Sequence, residues 1–315
     1  MPFGTIASAG AKQGSIGTSV TEILIVASGT KAQNLNYGGG FWFGGADNLV
    51  YKSNILSSWT TASYAGSANP NSKPQYWNGY YFLPTGDPDG AWRYSTDLSV
   101  TPTSGSVFEA TARVSSMCYF GSTYYVFLNS TIKKYGYSSS ISGTFTTVSN
   151  AAGYPTNGIN WAATDGTTMV GVGDGGLLST TTDGLTWTAR TSSFGADDID
   201  FVMYDTESSY WVASGANGKA AYSSNGTTWT QITSGLTAGI GVAINKCNGV
   251  FIIAQATLSV TTVKYSKSAS SLPTSAFTSG SAITSTGISN ENVYILATDG
   301  NYILLGAGKA SISSR

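Results

Sequence analysis

One short motif returns along this 315-residue chain at an almost constant interval, and that interval constrains the fold more than any other feature. The clearest copies are Thr181-Thr182-Asp183-Gly184-Leu185-Thr186-Trp187-Thr188 and Ser223-Ser224-Asn225-Gly226-Thr227-Thr228-Trp229-Thr230. Weaker copies start at Ser53 (ending Ser58-Trp59-Thr60), at Ser95 with Asp97 (Val100-Thr101 standing where Trp-Thr would be), at Ser138 (ending Phe145-Thr146) and at Ser266 (ending Phe277-Thr278). A truncated last copy, Gly308 to Ser314, parallels Gly218 to Ser224. The leading Ser/Thr positions 53, 95, 138, 181, 223, 266 and 313 are 42, 43, 43, 42, 43 and 47 residues apart, so seven copies share one register.

Two further turn signals keep the same register. Asn-Gly or Asp-Gly dipeptides between β-rich runs (Asn78-Gly79, Asp165-Gly166, Asn248-Gly249, Asp299-Gly300) supply the positive φ angles of a type I′ hairpin. A Gly-rich or polar turn follows some six to ten residues later, as in Gly173-Asp174-Gly175-Gly176. Three turns divide each unit into four short antiparallel strands, and a four-stranded unit at this period is a β-propeller blade. The expectation is an all-β, seven-bladed β-propeller of four-stranded antiparallel blades over residues 20–315. The last copy runs out near Arg315, so the run Val20 to Val26 is expected to close the ring and cover an exposed sheet edge, with residues 1–19 left as a flexible arm.

Composition agrees with this and excludes much else. Ser (45), Thr (40) and Gly (39) dominate, and aromatic residues make up 12% of the chain, which opposes an all-helical fold. Charged residues are only 10% and sum to −1, so no sign-biased surface attracts nucleic acid. Histidine is absent, which removes Ser-His-Asp and Cys-His catalysis and His-ligated zinc. Cys118 and Cys247, each in an apolar or aromatic stretch, read as buried free thiols. No secretory leader and no apolar run of about 18 residues is recognisable, so the expected chain is soluble and not membrane-inserted.

The repeated motif resembles the Asp-box, or BNR, repeat of sialidase-like propellers, from about residue 35 to the C-terminus. That resemblance implies a turn between the third and fourth strands of each blade, in which Ser/Thr and Asp side chains bond back to the turn backbone while the aromatic packs between strands. Ser53, Trp59, Ser95, Asp97, Thr181, Asp183, Trp187, Ser223, Asn225 and Trp229 are then structural. It also places ligand-facing loops on the opposite face. Binding candidates there are Asp87, Asp89, Arg113, Tyr154, Asp197, Asp198 and Asp200, with Glu109, Asp174 and Arg190 nearby in sequence. The Asp197–Asp200 cluster carries oxygens of the kind calcium takes, but no full ligand pattern accompanies it, and neither a metal nor a cofactor is expected. Tyr64, Tyr76, Trp92 and Trp161, with Tyr154, are candidates for stacking on sugars, although core packing also explains large aromatics.

Sialidase-type catalysis needs an Arg triad, a Tyr-Glu pair and an Asp. Arg93, Arg113, Arg190 and Arg315, with Glu22, Glu109, Glu207 and Glu291, do not assemble one readily; no catalytic residue is assigned. The neutral, His-free, Ser/Thr/Gly-rich character resembles bacteriophage virion components. The leading expectation is a non-enzymatic virion structural or adhesion protein of the tail or capsid surface, made in the host cytoplasm. Its arm would dock to other virion proteins, and the propeller would meet protein or host-surface glycan. The alternatives are a lectin or glycoside hydrolase of sialidase-like fold and a cellular assembly-factor propeller.

Overall fold

Short runs rich in β-branched and aromatic residues between tight turns fold the chain into a succession of antiparallel meanders. The computed structural model describes residues 5–6, 21–22, 33–46, 49–54, 60–63, 74–84, 91–105, 112–129, 131–233, 242–247, 249–256, 262–279, 283–284, 292–298 and 303–308. The first sheet comprises Gln33–Gly38, Phe41–Ala46, Leu49–Ser53 and Thr60–Ser63, and the second Gln75–Trp77, Tyr80–Pro84, Trp92–Ser95 and Thr103–Ser104. The third is Arg113–Phe120, Thr123–Asn129, Lys134–Ser138 and Thr146–Ser149, and the fourth Trp161–Thr164, Met169–Val172, Leu178–Thr181 and Thr188–Arg190. The fifth is Ile199–Asp205, Tyr210–Gly215, Ala220–Ser223 and Thr230–Ile232. In the sixth, Val242–Cys247, Val250–Ala256, Thr262–Ser268 and Phe277–Ser279 form the meander, and Ile283–Thr284 adds a fifth strand beside Thr262–Ser268. A hairpin of Asn292–Thr298 and Ile303–Gly308 follows.

Among the described residues, five sheets are thus complete four-stranded blades, where the period led us to expect seven. Their first strands are neighbours in sequence order, from Gln33–Gly38 through Gln75–Trp77, Arg113–Phe120 and Trp161–Thr164 to Ile199–Asp205. Asn292–Thr298 lies against both Val242–Cys247 and Gln33–Gly38, so the succession returns to its start. The core is a series of layers between adjacent sheets. Phe82, Trp92, Val114, Met117 and Val126 fill the second layer, and Phe127, Tyr135, Ile159 and Trp187 the third. Trp161, Val172, Phe194, Ile199 and Trp211 fill the fourth.

The turns agree with the chemistry read from the sequence. Asn78 and Gly79 have φ of 46° and 84°, the handedness that lets a two-residue hairpin follow strand twist. The leading Ser/Thr of the copies at 53, 95, 138, 181 and 223 ends the third strand of its sheet. The sixth copy is displaced: Ser266 lies inside its strand and Ser268 ends it. There the Ser268 hydroxyl donates to Ser270 O at 2.6 Å, the bond that Ser95 makes to Asp97 O at the same distance.

At the N-terminus, Thr5–Ile6 pairs with Thr21–Glu22, and Thr5–Ile6 lies beside Ile303–Gly308. Thr5 and Ile6, in the segment expected to be a free arm, thus sit in a two-stranded sheet, while most of the run Val20 to Val26 expected to close the ring lies outside the described residues. Of the latter run, only Thr21 and Glu22 are among the described residues.

Candidate functional site

The repeated turns are held by their own side chains. Thr181 Oγ1 accepts from the backbone N–H of Gly184 at 2.8 Å and donates to Asp183 Oδ1 at 3.0 Å. Asp183 Oδ1 accepts from Leu185 N at 2.8 Å and Thr186 N at 2.7 Å. Those two backbone donors hold the Asp183 carboxyl down at about 2, because they bind the ionised form. Ser223 and Asn225 repeat the arrangement, with Gly226 N on Ser223 Oγ at 2.9 Å and both Thr227 N and Thr228 N on Asn225 Oδ1 at 2.9 Å. Trp187 and Trp229 are buried, and the Trp229 indole N–H donates to Gly226 O at 3.0 Å. Ser53 and Ser95 are buried at the ends of their strands; Trp59 lies outside the described residues.

Asp97 is a variation on this turn. Its Oδ1 accepts from Ser99 N at 2.8 Å and from Lys52 of the first sheet at 2.6 Å, and the lysine is the first cause of a carboxyl lowered to about 2. Leu98 is fully buried there while Val100, which aligns with the tryptophans, is exposed. The second copy therefore closes its layer with a different residue.

On the opposite face the binding candidates separate. Asp87, Asp89 and Glu109 lie outside the described residues, as do Tyr64, Glu291 and Arg315. Arg113 is exposed at the start of its strand, opposite Asn129 in the ladder. Tyr154 is not a ligand-facing residue: only 4% exposed, it stacks on Tyr135 at 5.0 Å and meets Trp187 edge-on at 5.6 Å. Burial pushes its hydroxyl well above the usual range. Trp92 and Trp161 are buried in the same way, and Tyr76 is half-buried against Tyr81.

The acidic run is divided among different tasks. Asp197 pairs with Lys219 at 2.6 Å, and that partner lowers its carboxyl. Asp198 accepts from Gly175 N at 2.7 Å, tying the linker before the fifth sheet to a turn of the fourth. Asp200 is the second residue of the strand Ile199–Asp205, half-buried. Among the described residues no group of three potential ligands comes together to hold a metal. Half-buried Asp174 accepts from Asn160 Nδ2 at 2.6 Å, and burial, with the charge of Asp198, raises its carboxyl against that bond.

Among the described residues the arginines do not converge either. Arg190 Nε donates to Thr180 Oγ1 at 3.0 Å within the fourth sheet, and Arg93 Nη1 donates to the Ser104 hydroxyl within the second. Glu207 is engaged by Lys246 at 2.8 Å. Lys246 itself, a lysine inside the apolar strand Val242–Cys247, went unnoticed in the sequence although that setting is its signal. So did Gln75, whose Oε1 accepts from Met117 N at 2.6 Å across two sheets.

No protein-family profile matches the chain, and no curated sequence does. Solved structures do. A catalytically inactive virginiamycin B lyase from Staphylococcus aureus with quinupristin superposes with a TM-score of 0.70 at 9% identity, over 90% of this chain and 94% of that one. A chain of the mitotic checkpoint complex gives 0.66 at 11% identity over 98% and 91% of the two chains. U3-55K gives 0.61 at 12% identity over 92% of each. At these identities the likeness bears on architecture alone, and together with the sheet order it makes the chain an all-β propeller of antiparallel sheets.

Proposed function

We propose that this chain is a non-enzymatic interaction module, a virion component whose rigid propeller presents surfaces to protein or glycan. The observation that carries this reading is how charged side chains among the described residues are spent. Asp183 and Asp97 hold turns, while Asp197, Asp205 and Glu207 neutralise lysines. Arg93 and Arg190 bond hydroxyls within their own sheets. A glycosidase needs two carboxylates about 5–10 Å apart and facing one cleft. Carboxylates committed to turns and ion pairs are poorly placed for that work.

The same reading takes the sixth sheet and the C-terminal hairpin as the sixth and seventh blades of the ring, with the N-terminal strands completing the last. The repeated Thr/Ser-Asp turns support membership of the Asp-box group. A tagged chain supplied during phage infection tests the assignment. Co-sedimentation with purified particles is expected, together with no release of reducing sugar from bacterial surface polysaccharides. A chain that stays in the soluble fraction and cleaves a polysaccharide would overturn it.

A further inference from the structure

The hairpin ends of the second and third sheets carry an aromatic run that the ligand-face reading of the sequence passed over. Trp77 and Tyr80 face each other across the Asn78–Gly79 turn, and Tyr119 and Tyr124 across the next sheet's turn. Ring centroids connect Tyr94 to Tyr80 at 6.1 Å, Tyr80 to Tyr124 at 6.4 Å and Tyr124 to Tyr119 at 4.7 Å. Tyr124 is buried, whereas Trp77, Tyr80, Tyr94 and Tyr119 are half-buried, each packed on the layer between the sheets with surface left to solvent. Exposed Asn78 bridges the two sheets, its Nδ2 donating to Tyr124 Oη at 2.9 Å. The Trp77 indole nitrogen is buried and has no hydrogen-bond partner.

Aromatic pairs also flank the corresponding hairpins of the first and fifth sheets, Tyr37 with Trp42 and Tyr204 with Trp211. In the second and third sheets, however, the flanks are joined to each other by the Tyr80–Tyr124 ring contact and the Asn78 bond. The corresponding turn of the fourth sheet, Asp165 to Thr168, is closed by the Asp165 carboxylate accepting from Thr167 N at 2.8 Å and Thr168 N at 2.7 Å, with no aromatic flank. The run is also free of charge: four phenols, an indole and an amide. Ring faces stack on the C–H faces of pyranose rings, and phenol and amide groups bond sugar hydroxyls. A neutral surface suits a neutral ligand, since an anionic sugar would lose hydration without gaining a cation.

We propose that this hairpin-end surface of the second and third sheets binds a neutral, carboxylate-free and sulfate-free glycan chain. The proposal rests on the interaction-module reading and names its ligand class. The test applies the full-length protein to an array of neutral and anionic glycans, followed by calorimetry with the best neutral oligosaccharide. Retention of neutral glycans is expected, with affinity falling about tenfold in Tyr80→Ala and in Tyr119→Ala, as loss of one aromatic contact implies. Tyr80→Phe keeps most of the binding, and Leu185→Ala, exposed on the fourth sheet, keeps all of it. Thermal melts of each variant separate lost binding from lost fold. Retention of anionic glycans alone, of nothing, or neutral binding unchanged in both alanine variants would each overturn the proposal. Incorporation into particles is read independently, so a chain that co-sediments with virions but binds no neutral glycan ends this inference and leaves the module reading standing.

Discussion

Lys246 Nζ lies 2.7 Å from Asp205 Oδ2, joining the sixth sheet to the fifth where only 8% and 10% of the two side chains are exposed. A second carboxylate, Glu207, reaches the same ammonium at 2.8 Å but is 75% exposed. Burial disfavours both charges, yet the mutual bonds outweigh it, so the lysine is raised and Asp205 lowered from their ordinary values. Removing one partner from a buried pair strands the other charge. Lys246→Ala is expected to destabilise by about 3–5 kcal/mol, and Glu207→Ala by less than about 1 kcal/mol because its end of the bridge is solvated. Urea titration of the two variants checks the difference; equal losses would place Lys246 in solvent.

Acid should weaken the fold through its turn carboxylates. Asp183 and Asp97 are lowered to about 2, and Asp205 is lowered too. A depressed carboxyl contributes its stability above the unfolded value, near 4, and loses it as pH falls toward the folded value. Melting temperature is therefore expected to fall between about pH 4 and pH 2. Asp183→Asn should flatten that slope.

The fifth sheet shows why Asp183→Asn is mild at neutral pH. Asn225 holds the same two backbone N–H groups with a neutral amide oxygen. Asp183→Asn should change stability by about 0.5 kcal/mol or less, and Asp183→Ala, which leaves Leu185 N and Thr186 N without that acceptor, by about 1–2 kcal/mol. Trp187→Ala, emptying the layer beneath the turn, should cost about 3–5 kcal/mol. Chemical denaturation of the three variants should reproduce that order.

Gly184 and Gly79 both have positive φ, 75° and 84°, but their surroundings differ. A Cβ on Gly184 would fall 2.0 Å from the Tyr125 hydroxyl, whereas one on Gly79 meets open space. Gly79→Ala should cost about 1 kcal/mol from backbone strain alone. Gly184→Ala should cost distinctly more, and shift Tyr125 fluorescence or its ring resonances as the ring is displaced.

The N-terminus is testable by truncation. Because Thr5–Ile6 pairs with Thr21–Glu22 and lies beside Ile303–Gly308, deleting residues 1–19 should lower the melting temperature and expose a sheet edge to aggregation. Unchanged melting would return those residues to the role of a free arm.

Local chemistry was legible in the sequence, and contacts between sheets were not. Thr181, Asp183 and Asn225 act within three residues of themselves, so their spacing announces the turn. Tyr154 looked like a loop aromatic because its burial is decided by Tyr135 and Trp187, from a neighbouring strand and a turn respectively. Asp197 and Asp198 looked like one cluster, but alternate side chains in a linker diverge, one to Lys219 and one to Gly175. The sixth copy kept its period to within two residues, and only hydrogen bonding distinguishes Ser268 from Ser266 as the turn residue. Aromatic content pointed to a well-filled core; where those rings reach the surface depends on how two sheets abut.

The buried bonds of Gln75 have a mechanical consequence. Its Oε1 accepts from Met117 N at 2.6 Å, and beside it Ser116 Oγ accepts from Ala162 N at 3.2 Å, so the innermost strands of three successive sheets are laced by side chains. Apolar layers alone permit one sheet to slide along its neighbour, since dispersion contacts have little direction. Bonds at fixed positions along each strand oppose that sliding as teeth oppose slip between gears. Under a shearing load this part of the ring should transmit force as a single rigid arc, yielding first where such lacing ends.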